Sequence, residues 1–335
     1  MLRRVYPGVA IEVLPLPALH GFERRMRQAW SFARGLLGPL PAKVAFTERA
    51  ELRHALAIAT RPDLVILNGS DLLWTLPHLP AGAPVVVVAH NLEHCLFADQ
   101  VRWMGPLARP AIANHRRFEI SSFSRTAGVL FVSDEERDAA LSWLPQLPAM
   151  TISPVFAYEP NRARPPVSEA VRLVLAANFD WWPNREGMAW FLRRVWPAVG
   201  NGVSLDLYGP GSEAIAGGVR GVSGHGVVAD LGVVWGRADA SIAPMRRGAG
   251  VKVKVAESLY NGVPVLAAPL SAQGIVRNAS LKVLANEQEW ISFLAPESLR
   301  EWAVAPVAES TRTQFALEPR AAELREFLTR LIAAK

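Results

Sequence analysis

Short apolar runs recur along the whole chain, each followed by a polar or glycine-containing turn and then a longer amphipathic stretch. A strand buried on both faces reads as a short continuous apolar run, and the helix that returns the chain to a parallel neighbour reads as the amphipathic stretch behind it. The alternation therefore specifies an α/β protein with parallel sheets. In the first half it predicts strands over residues 11–14, 63–68, 84–89, 128–133 and 150–155, and in the second over 172–177, 203–208, 238–243, 263–268 and 282–285. Each half holds enough strands for a sheet of its own.

Two domains also follow from length: 335 residues exceed one ordinary compact domain. Half of the residues are hydrophobic, which supplies two cores. Between the halves, YEPNRARPP from Tyr158 to Pro166 breaks any regular pattern with prolines and arginines. The expected organisation is a first domain at 1–157, a linker at 158–167, a second domain at 168–316 and a C-terminal helix at 317–335 that can pack back on the first domain. That helix carries Pro319 in its first turn and an apolar stripe of Leu324, Phe327, Leu328 and Leu331.

Several classes fall away on composition. Cys95 is the sole cysteine, which leaves no intrachain disulfide and no multi-cysteine zinc site. Apolar runs such as 84–89 are far shorter than the roughly 20 residues needed to span a bilayer, and the opening MLRRVYPGVAIEVLPLP lacks the continuous apolar core of a signal peptide. The expected location is cytoplasmic, with peripheral contact at the inner face of a membrane as an option. That option rests on residues 21–37, which place Phe22, Met26, Trp30, Ala33 and Leu37 on one helical face and Arg24, Arg25, Arg27 and Arg34 largely elsewhere. Such a helix either lays its apolar side on the core or lies on an anionic membrane surface. The net charge of +6 points to no one partner, and with no basic patch interleaved with aromatics a nucleic-acid role is not expected.

The most informative stretch is 238–270, ADASIAPMRRGAGVKVKVAESLYNGVPVLAAPL: a strand ending at Pro244, a turn through Gly248, Ala249 and Gly250, a helix from near Val251, and Asn261-Gly262 closing it. Free N–H groups at the start of that helix, with its positive dipole end, suit a phosphate, and the glycines allow close approach. At helical spacing Gly250, Lys254 and Glu257 share a face. The ammonium can neutralise a diphosphate and the carboxylate can accept two ribose hydroxyls; spacing alone equally allows an intrahelical ion pair.

This stretch resembles the donor-binding segment of the retaining GT-B glycosyltransferases called glycosyl transferases group 1, or family 4, in a bacterial branch with GAG, then K-x-K, then E. LVLAANFDWWPNREGMAWFLRRVWP at 173–197 and LDLYGPGSE at 205–213 resemble the same branch. The resemblance implies the GT-B fold, two Rossmann-like domains with parallel sheets facing each other across a cleft. It implies transfer from a nucleotide-sugar donor to a saccharide or lipid-linked acceptor, with retention, without cofactor or metal, in cell-surface polysaccharide synthesis. Residue by residue, it implies that Glu257 holds the donor ribose, that Gly248, Ala249, Gly250 and Val251 present backbone amides, that Lys252 or Lys254 faces the phosphates, and that the stretch from Gly224 to Val228 borders the base. Ala249 stands where many members bind the transferred sugar with a glutamate. Asn178 and Asn184 stand near the family's usual arginine and lysine, which shifts the phosphate burden to Lys252, Lys254, Arg246 and Arg247.

In the first half, VVVVAHNLEH puts His90 at the carboxyl end of a strand, where ligands bind in open α/β sheets. The resemblance implies that His90 faces the donor sugar, with Glu93 orienting it. His90, Glu93 and His94 also spell an inverted zinc-protease motif, but a histidine ending a strand does not suit it. Ser133 reads as a helix cap rather than a nucleophile. The family's opening strand and glycine-rich loop are not found before 11–14, so either the true start lies upstream or the first domain is reduced. Two rival readings stand beside transfer: a non-catalytic relative that binds nucleotide or a partner, and a sugar-nucleotide epimerase.

Overall fold

The computed structural model describes residues 10, 13, 21–38, 40–158, 160, 170–248 and 253–334. The strand expected at 11–14, most of the linker, and the loop positions Ala249, Gly250, Val251 and Lys252 lie outside them. By contact density the chain divides into one unit of Met1–Val88 with Glu93–Val129 and another of Ala89–Leu92 with Leu130–Lys335.

The first half runs through helices α1 (Gly21–Leu37), α2 (Ala42–Thr47) and α3 (Ala50–Ala57), strands β1 (Val65–Asn68) and β2 (Val85–Ala89), helices α4 (Glu93–Gln100) and α5 (Arg109–Phe123), strand β3 (Gly128–Phe131), helix α6 (Asp134–Trp143) and strand β4 (Ala149–Thr151). The strands lie in the order β1-β2-β3-β4, with β1 parallel to β2 from Val65↔Val85 to Asn68↔Val88. β4 is shorter than expected. Its ladder contact ends with the Ile152 amide on the Phe131 carbonyl at 2.7 Å, and Pro154 beyond has no N–H to continue it. Ser133 caps α6 as expected, its Oγ accepting from the Glu136 amide at 3.2 Å.

α1 forms over the expected residues but packs the other way round. Its inner surface carries buried Ser31, Phe32 packed against the cluster of Phe97, Val101, Ala108 and Ala111, and Gly35, so close to α2 that a Cβ there would run into the Ala42 backbone. Phe22, Met26 and Trp30 are left 76%, 55% and 54% exposed.

The second half holds β5 (Val171–Ala176), α7 (Trp182–Arg194), β6 (Val203–Tyr208), α8 (Ser212–Ala216), β7 (Val222–Gly224), α9 (Gly232–Trp235), β8 (Ala240–Ala243), α10 (Val253–Tyr260), β9 (Val265–Ala267), β10 (Leu281–Val283), α11 (Glu287–Phe293), α12 (Pro296–Val304), α13 (Glu309–Thr313) and α14 (Leu317–Ala333). Its six strands run in the order β10-β9-β8-β5-β6-β7, every pair parallel. β7 is an edge strand without a sequence signal of its own: three residues, one of them glycine, carry too little pattern.

Side chains alternate across this sheet. Leu173 and Leu175 join Met188 and Phe191 of α7 and Trp290 of α11 in one core, while Val174 joins Tyr208, Val234 and Trp235 in another. Further along, Ala243, Val265 and Ala267 pack with Val255 and Leu259 of α10 and with Phe315. The sheet is thus covered on both faces, which is why its strands read as continuous apolar runs. Among the described residues no helix is long and apolar enough to cross a membrane.

Candidate functional site

β5 pairs with β6 on one side and β8 on the other, so the winding of the second sheet reverses between β5 and β8. In open α/β sheets ligands bind outside the carboxyl ends of the strands at such a reversal. Here those ends lead into residues 177–181 after β5 and 244–248 after β8.

Glycine brings α7 onto the second of these loops. A Cβ at Gly187 would meet the Pro244 carbonyl at 2.8 Å, so only glycine allows this approach. The first turn of α7 then sets buried Asn184 beside both loops: its Nδ2 donates to the Asn178 carbonyl at 2.7 Å, and Lys254 Nζ of α10 donates to its Oδ1 at 2.5 Å. Lys254 also lies 3.7 Å from Met245 Sδ. Lys254, expected on the phosphate side, thus forms one connected group with Asn184 and Asn178. Gly248 is buried with φ of 106°, a conformation that L side chains rarely adopt. Arg246 is exposed and sets its guanidinium over the Trp190 ring at 4.7 Å.

One turn after Lys254, Glu257 takes a different partner. Tyr158 donates its hydroxyl to Glu257 Oε1 at 3.1 Å, and Asn261 Nδ2 donates to that same hydroxyl at 2.9 Å. Glu257 therefore pairs with Tyr158 and not with Lys254, as the intrahelical alternative required. Burial pushes the Glu257 carboxyl above its ordinary range, and the Tyr158 hydrogen bond opposes that rise. Burial likewise raises the Tyr158 phenol, which keeps it a donor.

Glu257, Tyr158 and Asn261 line a cavity of about 850 Å³ together with residues 229–233, Gly236 and Arg237. The segment expected to border a base, Gly224 to Val228, ends one residue short of that lining. Gly224 closes β7, and Val228 packs against the cluster that holds Val174, Tyr208, Val234 and Trp235. Tyr158, Asn261, Asp230 and Arg237 were not expected from the sequence, since nothing local marks them as neighbours of Glu257.

His90 follows β2 directly and is exposed. It takes part in none of the bonds just described. Three residues later α4 begins, and its start is held by Glu119 of α5, whose carboxylate accepts from the Glu93 amide at 2.7 Å and the His94 amide at 3.0 Å. A helix start leaves such donors unpaired, and a buried carboxylate there meets both the donors and the dipole. His94 sets Nδ1 2.6 Å from Glu119 Oε2, while Glu93 takes Lys43. Burial pulls the His94 imidazolium down, but the contacts with Cys95 and Glu119 more than offset this and raise it to about 9. Nearby His115, buried against Phe97, is lowered by burial to about 4.

Residues 170–296 match the family model described as "Glycosyl transferases group 1". No curated protein matches the chain. Among solved structures, sucrose-phosphate synthase from Thermosynechococcus elongatus is similar with a TM-score of 0.65 at 16% identity, over 88% of this chain and 79% of that one. Anabaena HepE in complex with UDP and glucose is similar at 0.63 and 15% identity, over 89% and 83%. S. aureus TarM in complex with UDP, fondaparinux and alpha-GlcNAc-glycerol gives 0.62 and 14%, over 84% of this chain. The chain spans 57% and 58% of the length of the two TarM chains it matches. At these identities the likeness bears on the fold. Two parallel sheets of four and six strands, with these neighbours, make the fold GT-B, and the group 1 glycosyl transferase match lies on its second half, residues 170–296.

Proposed function

We propose that this chain transfers a sugar from a nucleoside diphosphate donor to a saccharide or lipid-linked acceptor, with retention and without a metal ion, in the assembly of a surface polysaccharide. The observation that carries the reading is the Glu257 carboxylate lining a cavity beside the 229–233 turn, one helical turn from Lys254, within the stretch that matches the family model. In this reading Glu257 accepts the ribose hydroxyls and Lys254, with the amides of Gly248, Ala249, Gly250 and Val251, faces the diphosphate. Lys252, Arg246 and Arg247 add positive charge, and Asn178 and Asn184 hold Lys254 in place.

His90 hydrogen-bonds the transferred sugar. The bond from the anomeric carbon to the diphosphate breaks, its electron pair leaves on the phosphate oxygen, and the acceptor hydroxyl forms the new bond on the same face while its proton passes to the departing diphosphate. Catalysis is then mostly positioning and stabilisation of the charge on the leaving group. HepE and TarM were each solved with UDP, which supports UDP-sugars as the first donors to test. We place the reaction in the cytoplasm at an anionic membrane surface, because α1 turns Phe22, Met26 and Trp30 outward with Arg25 exposed on the same helix.

The test is transfer from a panel of UDP-, GDP- and ADP-sugars to saccharide acceptors, with and without EDTA. Product with retained anomeric configuration, unaffected by EDTA, is the expected result. Loss of turnover on chelation, or donor conversion with no acceptor present, overturns it; the second outcome is that of an epimerase.

A further inference from the structure

Tyr158 stands outside the segment matched by the family model and is 42% exposed, yet it is built into the surroundings of Glu257. Its main chain and ring are held from several directions. The Tyr260 hydroxyl donates to its carbonyl at 2.5 Å. Its ring packs edge-on to Tyr260 at 5.5 Å and tilted against Phe156 at 5.8 Å. Phe156 is anchored in turn by its amide on the Phe315 carbonyl at 2.9 Å. A phenol so fixed has one donor and one principal acceptor direction, and both are used: it accepts from Asn261 Nδ2 and donates to Glu257 Oε1.

Asn261 is itself fixed, since its Nδ2 also meets the Glu257 carbonyl at 2.9 Å one turn earlier on the same stretch. The amide therefore orients the phenol and the phenol orients the carboxylate. A glutamate on a helix surface otherwise samples several rotamers, and ordering it on ligand binding costs affinity. We propose that Tyr158 is the positioning residue of this site, its hydroxyl holding Glu257 Oε1 so that the carboxylate is preset and Oε2 is left for a ligand hydroxyl.

This rests on the reading of Glu257 as the acceptor for a ribose diol. The same hydrogen bond favours the ionised form of Glu257, the form that accepts. The charged groups around it are Lys254 one turn before, and Asp230 and Arg237 across the cavity; Tyr158 alone among these donates a hydrogen bond to the carboxylate.

The experiment is calorimetric titration of the full chain with UDP, GDP and ADP as a function of pH from acid to neutral, for the unaltered protein, Tyr158→Phe and Glu257→Gln. Thermal melts of each variant establish folding. Tyr158→Phe is expected to weaken binding about tenfold, as the loss of one charge-assisted hydrogen bond allows. Its acid limb should also move to higher pH, which a merely structural role would not do. Glu257→Gln should weaken binding further and leave only the acid limb set by protonation of the ligand's own terminal phosphate. If Glu257→Gln weakens binding while Tyr158→Phe leaves both affinity and acid limb unmoved, or tightens binding, the positioning role is wrong and the ribose reading stands. If no nucleoside diphosphate binds, or Glu257→Gln changes nothing, the ribose reading falls and the role of Tyr158 falls with it.

Discussion

Lys254 and Asn184, 70 residues apart in sequence, are joined by a hydrogen bond from Nζ to Oδ1, and the same Asn184 amide reaches the Asn178 carbonyl. The ammonium is therefore held at the reversal point of the second sheet instead of ranging over the surface. A lysine held this way acts as a fixed charge, and a fixed charge contributes most where negative charge grows as a bond breaks.

Lys254→Ala is accordingly expected to reduce turnover by about a hundredfold, the scale for removing one preorganised stabilising group, while weakening UDP binding much less. Single-turnover transfer measured beside UDP titration separates the two quantities. An equal loss in both would assign Lys254 to ground-state binding only.

His90→Ala should leave UDP affinity within about twofold and reduce transfer by a factor of roughly 10² to 10³, the range for removing one preorganised hydrogen-bonding group. The reason is that a group acting on the sugar makes no contact with free UDP. A variant that loses UDP affinity as strongly as Lys254→Ala would move His90 to the nucleotide.

Glu119 is buried and closes the start of α4 while pairing with His94. Glu119→Ala leaves two amides and an imidazolium without it and is expected to cost about 3–5 kcal/mol, the range for breaking a buried pair. Chemical denaturation of both proteins measures this, and a change below about 1 kcal/mol would mean that water replaces the carboxylate.

The two histidines of this region set opposite pH limits. His94 is raised to about 9 from the ordinary 6.5, so its contribution is whole below pH 6.5 and is lost as pH climbs through 9. His115 is lowered to about 4 from 6.5, so its neutral, buried form is stable above pH 6.5, and stability falls as pH drops toward 4. The combined contribution of these two groups is greatest near pH 6.5. Melting scans across pH should show the alkaline decline vanish in His94→Gln and the acid decline shrink in His115→Phe.

The exposed face of α1 predicts salt-sensitive flotation with phosphatidylglycerol vesicles and little with phosphatidylcholine. Phe22→Glu with Trp30→Glu should abolish it without lowering the melting temperature, because both side chains are open to solvent. Equal flotation with both lipids, or none with either, would remove the membrane from the proposed setting.

Sequence alone determined what depends on near neighbours. Apolar runs of strand length, the cap at Ser133, and the helix ended by Asn261 and Gly262, whose φ is 77°, each follow from local backbone geometry. The spacing of Lys254 and Glu257 put them on one face of one helix for the same reason. Local pattern could not say which way α1 turns its apolar stripe. Periodicity marks a stripe, but what covers it depends on whether a better contact exists, and Gly35 against Ala42 was that contact. Nor could it show that Tyr158 meets Glu257 from 99 residues away or Lys254 meets Asn184 from 70. Those pairs exist because tertiary packing sets α10 against α7 on one side and against the segment at Tyr158 on the other, and which side chains then touch is decided by packing, which has no signature in neighbouring residues.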